Sequence, residues 1–198
     1  MRDANLYLVY VEFNGVGGSC YRHKSTLPSD SRGSTATLSI DFDEDIRDCD
    51  NETPMPGIDT SNFQILPQPD GSITVNGTAR FTKDYGNPTR WKFYTKRLER
   101  GRWIPGIVSR DISNVCSVLQ MPYELWYPFT RLMQRKFCPF KAGHEEHMNN
   151  VNIGNLAKTF EVSPDFIGEW RVYHAITTTR NGRPFDECFM VSVSVSEV

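Results

Sequence analysis

No run of apolar residues approaches the length, about eighteen, that a membrane-crossing helix requires, so no membrane span is expected. Charge of one sign is also lacking: 22 Lys and Arg stand against 24 Asp and Glu, a formal net charge of -2. Without a basic stripe to neutralise a phosphate backbone, nucleic acid is not expected as a partner. The cysteines contain no C-x-x-C pair, which speaks against a zinc knuckle or a thioredoxin-type centre. No G-x-S-x-G elbow of an α/β lipase occurs. In His144-Glu145-Glu146-His147 the histidines are three apart, not the four that set two zinc ligands on one helix face, so a solvated loop is preferred to a metal site. His174 falls in a strand pattern and reads as a packed or exposed histidine, not a base. These residues point to no catalytic constellation, metal or cofactor.

What is present is five widely spaced cysteines, Cys20, Cys49, Cys116, Cys138 and Cys188, with N-x-[ST] sequons at Asn51 and Asn76. Together they lean towards the secretory pathway. The odd number leaves at least one thiol free or paired outside the chain. Leu6 to Phe13 is apolar apart from Glu12 and is followed by Gly15, Gly17, Gly18 and Ser19, a pattern closer to a damaged or truncated signal sequence than to a good one. From Ser19 to about Asp59 the chain is polar with little periodicity, and most of it is expected to be a flexible extension. Asp41, Asp43 and Asp45 alternate and Glu52 falls where a calcium loop has its last ligand. Ile46 occupies the position that requires glycine, so a solvated acidic run is the better reading.

From Phe63 the pattern changes to strands. Phe63–Leu66 precedes the turn signal Pro67 to Gly71, and Ile73, Val75, Gly77, Ala79 and Phe81 then alternate with polar neighbours. Trp91, Phe93 and Thr95 share one face of the next strand, and Trp103-Ile104-Pro105 begins its return. The chain is polar from Gly143 to Asn155, and Phe160 and Val162 begin another extended piece. Gly168 to Ile176 reads as a strand, Asn181-Gly182 as a hairpin turn, and Phe189 to Ser196 as a last strand with Val191, Val193 and Val195 on one face. Short strands with hairpin turns and one irregular apolar insertion indicate an all-β, immunoglobulin-like antiparallel sandwich or cup.

The insertion lies between Cys116 and Cys138 and carries Leu119, Met121, Tyr123, Trp126, Phe129, Leu132, Met133 and Phe137. Pro122 and Pro128 prevent it from being one continuous helix. A bridge between its end cysteines would close a loop of about twenty residues and contribute roughly 3 kcal/mol. Such a segment fits the lid or rim of something apolar, and equally a short broken helix packed on a core.

Cys138-Pro139-Phe140-Lys141-Ala142-Gly143 closely matches the C-P-F-K-x-G element of the ganglioside activator family, and Gly168-Glu169-Trp170-Arg171-Val172 resembles its G-x-Y-R-I strand. The hairpin from Thr177 to Gly182, Cys188-Phe189-Met190-Val191, Cys49-Asp50 and Gly101 to Pro105 follow in the same order. From about Cys49 to the end, the chain thus resembles ganglioside activators and their insect relatives, the chemosensory B-type proteins, within the ML lipid-recognition group. Ser109 stands where one activator cysteine would be and the insertion lacks a further pair, which shifts the resemblance towards the insect branch.

The resemblance implies an extension over residues 1–48 and a lipid-binding domain over 49–198, with bridges Cys49–Cys188 and Cys116–Cys138. It implies a non-enzymatic, secreted or lysosomal carrier of lipids or insect chemosensory hydrocarbons. The partially helical rim loop would border an apolar cup lined by Trp91, Phe93, Trp103, Trp126, Phe129, Met133, Trp170, Val172 and Val191, and Lys141 would stand near the mouth as a contact for an acidic head group or as a plain surface lysine. Asn51 and Asn76 would carry glycans. The alternative is an interaction protein whose aromatics fill the cup and whose loops meet a receptor or membrane surface.

Overall fold

The computed structural model of the protein describes residues 37–42, 46–50 and 53–198. The expectations for the signal-like segment, Cys20, Asp43, Asp45, Glu52 and the sequon at Asn51 fall outside these residues. The fold is all-β, with antiparallel strands in two sheets. The wider sheet runs in the order β1 (Leu38–Phe42), β9 (Arg183–Glu197), β8 (Gly168–Arg180), β5 (Thr89–Glu99), β6 (Arg102–Ile112), and the short β2 (Arg47–Asp48) also pairs with β9. The narrower sheet orders β3 (Ile58–Pro67), β4 (Ile73–Phe81) and β7 (Glu145–Gly154).

Turn chemistry sets the hairpins. Asn181 and Gly182 both take positive φ between β8 and β9, and Arg100 and Gly101 do the same between β5 and β6. Two left-handed residues match the twist of the flanking strands, as the Asn-Gly pair predicts. Gly77 is required for a different reason. At φ +104° a Cβ there would lie 1.7 Å from the Asn62 carbonyl oxygen, where β3 and β4 pass at an irregular register.

Cross-strand register fixes which residues share a face. Trp91, Phe93, Thr95 and Arg97 of β5 stand opposite Ile176, His174, Val172 and Trp170 of β8. Those β8 residues in turn oppose Glu187, Phe189, Val191 and Val193 of β9. Members of this set pack against the narrower sheet and the β6–β7 connection, so this is the inner face. One apolar cluster joins Phe81, Tyr85, Leu119, Trp126, Phe140 and Ile176, with Trp91 and Phe189 against it. A second joins Ile73, Val75, Met148, Ile153 and Leu156, with Ile40, Phe42, Phe129 and Leu132 against it. Met133 touches both.

Four segments differ from the sequence expectation, one of them residues 47–48, which pair with β9 as β2 ahead of Cys49. Residues 38–42 are not part of a flexible extension but form β1, in register from Leu38 opposite Glu197 to Phe42 opposite Val193. The sandwich therefore begins ahead of the boundary expected at Cys49, because Leu38, Ile40 and Phe42 supply a short alternating face inside a polar stretch. The polar segment after Gly143 is β7. Its alternation is interrupted by register shifts and by Asn150 at φ 49°, and one of its buried positions is a glutamate. Phe160 does not open an extended piece; it ends the short helix α2 (Leu156–Thr159), whose Asn155 cap accepts the Lys158 amide.

Candidate functional site

The inner face of the wider sheet is apolar and aromatic but unevenly covered. On the outer face, Tyr173 and Met190 are 1 % exposed and Cys188 is 2 %. On the inner face, Phe93, Val172, His174 and Phe189, all mid-strand in central strands, remain half-buried. A sandwich filled by its own side chains closes these positions first. Thr95 and Val191 on the same face are buried, and the ends of the face are closed. At one end Trp170 is buried, donates its indole N–H to the Phe166 carbonyl at 2.7 Å and stacks with the Phe166 ring. Gly106 permits this, since a Cβ there would fall 3.0 Å from the Trp170 ring and 2.3 Å from Thr95 Oγ1. At the other end the buried Glu187 carboxylate accepts from the Gly57 amide, Tyr85 hydroxyl, Lys83 and Arg180. Burial and the adjacent Glu187 carboxylate both push the Tyr85 phenol well above its ordinary range.

The β6–β7 connection closes over the inner face as an irregular segment. It contains a 3₁₀ turn at Val115–Ser117 and the four-residue helix α1 (Tyr127–Thr130). The Cys116–Cys138 disulfide, with Cα atoms 5.7 Å apart, closes it. Thr130 donates its hydroxyl to the Leu119 carbonyl, and Arg110 on edge strand β6 pairs with the buried Glu124 at 2.8 Å. Glu146 of β7, also buried, accepts the backbone amides of Gln134 and Arg135 and lies 2.6 Å from His144 Nε2. A buried carboxylate filled with donors is a strong local clamp.

Most residues expected to line the cup reach the inner side. Trp91, Phe93, Trp170, Val172 and Val191 lie on the inner face of β5, β8 and β9, while Trp126, Phe129 and Met133 descend from the connection. Trp103 does not. It pairs with Leu98 on the outer face, where the Arg171 guanidinium lies 4.2 Å from its ring centroid. A cation over an indole stabilises an aromatic outside the core, so bulk alone misplaces it. The same face carries Tyr173, stacked on Tyr94 and donating to Asp50 at 2.5 Å. That hydrogen bond, with Lys96 and Arg171 nearby, holds the Asp50 carboxyl below its usual value. Beneath this cluster the Cys49–Cys188 disulfide ties the segment before β3 to β9, again with Cα atoms 5.7 Å apart.

His174 is the inner residue that sequence reasoning undervalued. Its ring stacks on Phe189 with centroids 4.3 Å apart, meets Phe93 edge-on at 5.3 Å and Trp91 at 5.5 Å. Desolvation in this aromatic setting drives its pKa down to about 3, so the imidazole is neutral at ordinary pH. Trp126 stacks on Trp91 at 5.3 Å. Buried polar atoms without a hydrogen-bond partner collect here: Nε1 of Trp91 and Trp126, Nδ1 of His174 and Oγ1 of Thr178. Each such group costs about 1–3 kcal/mol if nothing pairs with it. The period-two pattern places 174 and 176 on one face and could have signalled a histidine on the apolar floor.

A separate recess of about 380 Å³ lies beside β3, lined by Ile46, Met55, Ile58, Asp59, Thr60, Ser61 and Phe63. Its wall contains none of Trp91, Phe93 or His174, so it is not the aromatic floor. Lys141 pairs with Asp84 at 2.7 Å, and Asn76 sits in β4 with its side-chain oxygen accepting the Asn150 amide. His147 lies beside Thr78 and Glu145, apart from the Glu146 clamp, and no group of three or more metal-capable side chains occurs among the described residues. No family model matches the chain, and no curated protein matches it either.

Proposed function

We propose that this protein is a secreted, non-enzymatic carrier of hydrophobic small molecules, held against the inner face of the wider sheet under the β6–β7 connection. The observation that carries this reading is the half-buried state of Phe93, Val172, His174 and Phe189 on the inner face, while Tyr173, Cys188 and Met190 on the outer face beside them are buried. Each ligand methylene removed from water there would contribute about 0.8 kcal/mol, so a long chain binds through area alone. The resemblance to the ML group supports lipids, or the long hydrocarbons of insect chemosensory secretions, as the ligand class. Two disulfides are compatible with an extracellular protein, and Asn76 is the sequon we assign to glycosylation among the described residues.

Native mass spectrometry of the protein secreted from eukaryotic cells tests this directly. The expected result is a population carrying a co-purified lipid mass, together with uptake of a fluorescent fatty acid. A clean ligand-free mass and no uptake would overturn the carrier reading. They would favour a second one, an interaction protein that docks through its loops, for which Tyr123 and Phe137 on the connection offer exposed aromatic surface.

A further inference from the structure

We infer that the ligand of this inner face carries a neutral hydrogen-bond-accepting oxygen, such as an ester or ketone, and binds with that end at Trp91, Trp126 and His174. This rests on the carrier reading and adds the ligand's polar group and its orientation. The two ends of the inner apolar region differ in chemistry. Around Ile73, Val75, Met148 and Ile153, and around Trp170, Val193 and Val195, the buried side chains are almost wholly hydrocarbon or, as with the Trp170 indole, already paired. Around Trp126 and Ile176 they are not. There the indole N–H groups of Trp91 and Trp126, the Nδ1 of His174 and the hydroxyl of Thr178 are buried without partners. Trp126 is itself 7 % exposed, so its donor has no route to bulk water.

Native interiors pair their buried donors, and several orphans gathered on adjoining rings mark a place where a partner belongs. The Trp91 ring lies 5.3 Å from Trp126 and 5.5 Å from His174, centroid to centroid, so the three rings adjoin through Trp91. In this arrangement the nitrogens are shielded from solvent without a partner. Trp126 belongs to the connection rather than to a sheet, so a ligand entering under that segment separates it from Trp91 and uncovers both donors. The polarity of the acceptor follows from the surroundings. Indoles can only donate, which excludes a ligand end that is itself purely a donor. His174 is neutral in this setting and supplies no positive charge to a carboxylate. The hydrocarbon chain then extends along Val172 and Val191 towards Trp170, Val193 and Val195.

The test uses the intact protein and displacement of a bound fluorescent fatty acid by three probes: methyl palmitate, heptadecane and palmitate at neutral pH. Methyl palmitate is expected to compete about tenfold better than heptadecane, the ratio for one well-made buried hydrogen bond, and better than palmitate. Trp126→Phe keeps a stacking ring without the donor and is expected to shrink the ester's advantage over the alkane, whereas Trp103→Phe on the outer face leaves that ratio in place. Independently of any variant, methyl palmitate should move an inner indole N–H proton resonance downfield, and heptadecane should not. Equal competition by ester and alkane, or an unshifted indole proton with bound ester, would overturn the polar-end assignment while leaving the carrier reading intact. Stronger competition by palmitate would overturn the neutral acceptor. Failure to bind any of the three probes would overturn the carrier reading and this inference with it.

Discussion

His174 shows how one residue records the character of the interior. Its imidazole is flanked by Trp91, Phe93 and Phe189, and desolvation is the cause of its depressed pKa. In the unfolded chain the same group titrates near 6.5, against about 3 when folded. Between those values the unfolded state holds the extra proton, so stability rises with pH across this window and falls on acidification. The slope is at most about 1.4 kcal/mol per pH unit. Replacing His174 by Phe should remove this component. Urea midpoints measured from pH 7 to pH 4 should fall less steeply for His174→Phe than for the wild type, and parallel curves would contradict the assignment. Glu187 behaves differently, because it is buried with partners. Glu187→Ala leaves the Tyr85 hydroxyl and the Gly57 amide without their acceptor and separates Lys83 and Arg180 from a counter-charge. Loss of one partner from a buried pair costs about 3–5 kcal/mol, and chemical denaturation should report a loss of that order. At this scale the sequence shows which residues are bulky and apolar but not what else they meet. Trp126 and Trp103 look alike in composition, and only the register and the Arg171 contact separate an inner from an outer indole.

Among the elements, legibility followed the regularity of the alternation. β4, β5, β8 and β9 carry long period-two patterns, and their hairpin turns are written in Asn181-Gly182 and Arg100-Gly101. β7 was obscured because its alternation is broken by register shifts and by a buried Glu146, a polar residue in an inward position. That same glutamate connects a strand to the β6–β7 connection through the Gln134 and Arg135 amides. Glu146→Ala should therefore loosen the connection before it disturbs the sheets. Hydrogen exchange should show lost protection at Gln134 and Arg135 while the amides of β5 and β8 keep theirs. Unchanged exchange at those two amides would remove Glu146 from this role. Gln134 and Arg135 are exposed, so water replaces the lost acceptor and the stability change should be about 0.5–1.5 kcal/mol for each hydrogen bond lost.

The two disulfides act at different scales of the molecule, although their Cα separations are the same. Cysteine spacing alone left several pairings open, since register and layer contacts decide which cysteines meet. Cys116–Cys138 closes a separation of 22 residues within one connection. Cys49–Cys188 closes 139 residues and joins the segment before β3 to β9, the strand shared by β1, β2 and β8. The entropy removed from the unfolded chain grows with the closed length, from about 3 kcal/mol for a short loop to near 5 kcal/mol for a long one. The paired variant Cys49→Ser with Cys188→Ser should accordingly lose more stability than Cys116→Ser with Cys138→Ser. The native contacts argue in the same direction. Cys49 and Cys188 are buried with Tyr173 and Met190, and their replacement also disturbs packing on the outer face. The local bridge instead holds the segment bearing Trp126, Phe129 and Met133, so its loss should weaken uptake of a fluorescent fatty acid while most β-sheet circular dichroism persists. Denaturant midpoints and uptake measured on both variants separate the two roles. If the Cys116–Cys138 variant proved the less stable one, or retained full uptake, the assignment of a global staple and a local rim clamp would fail.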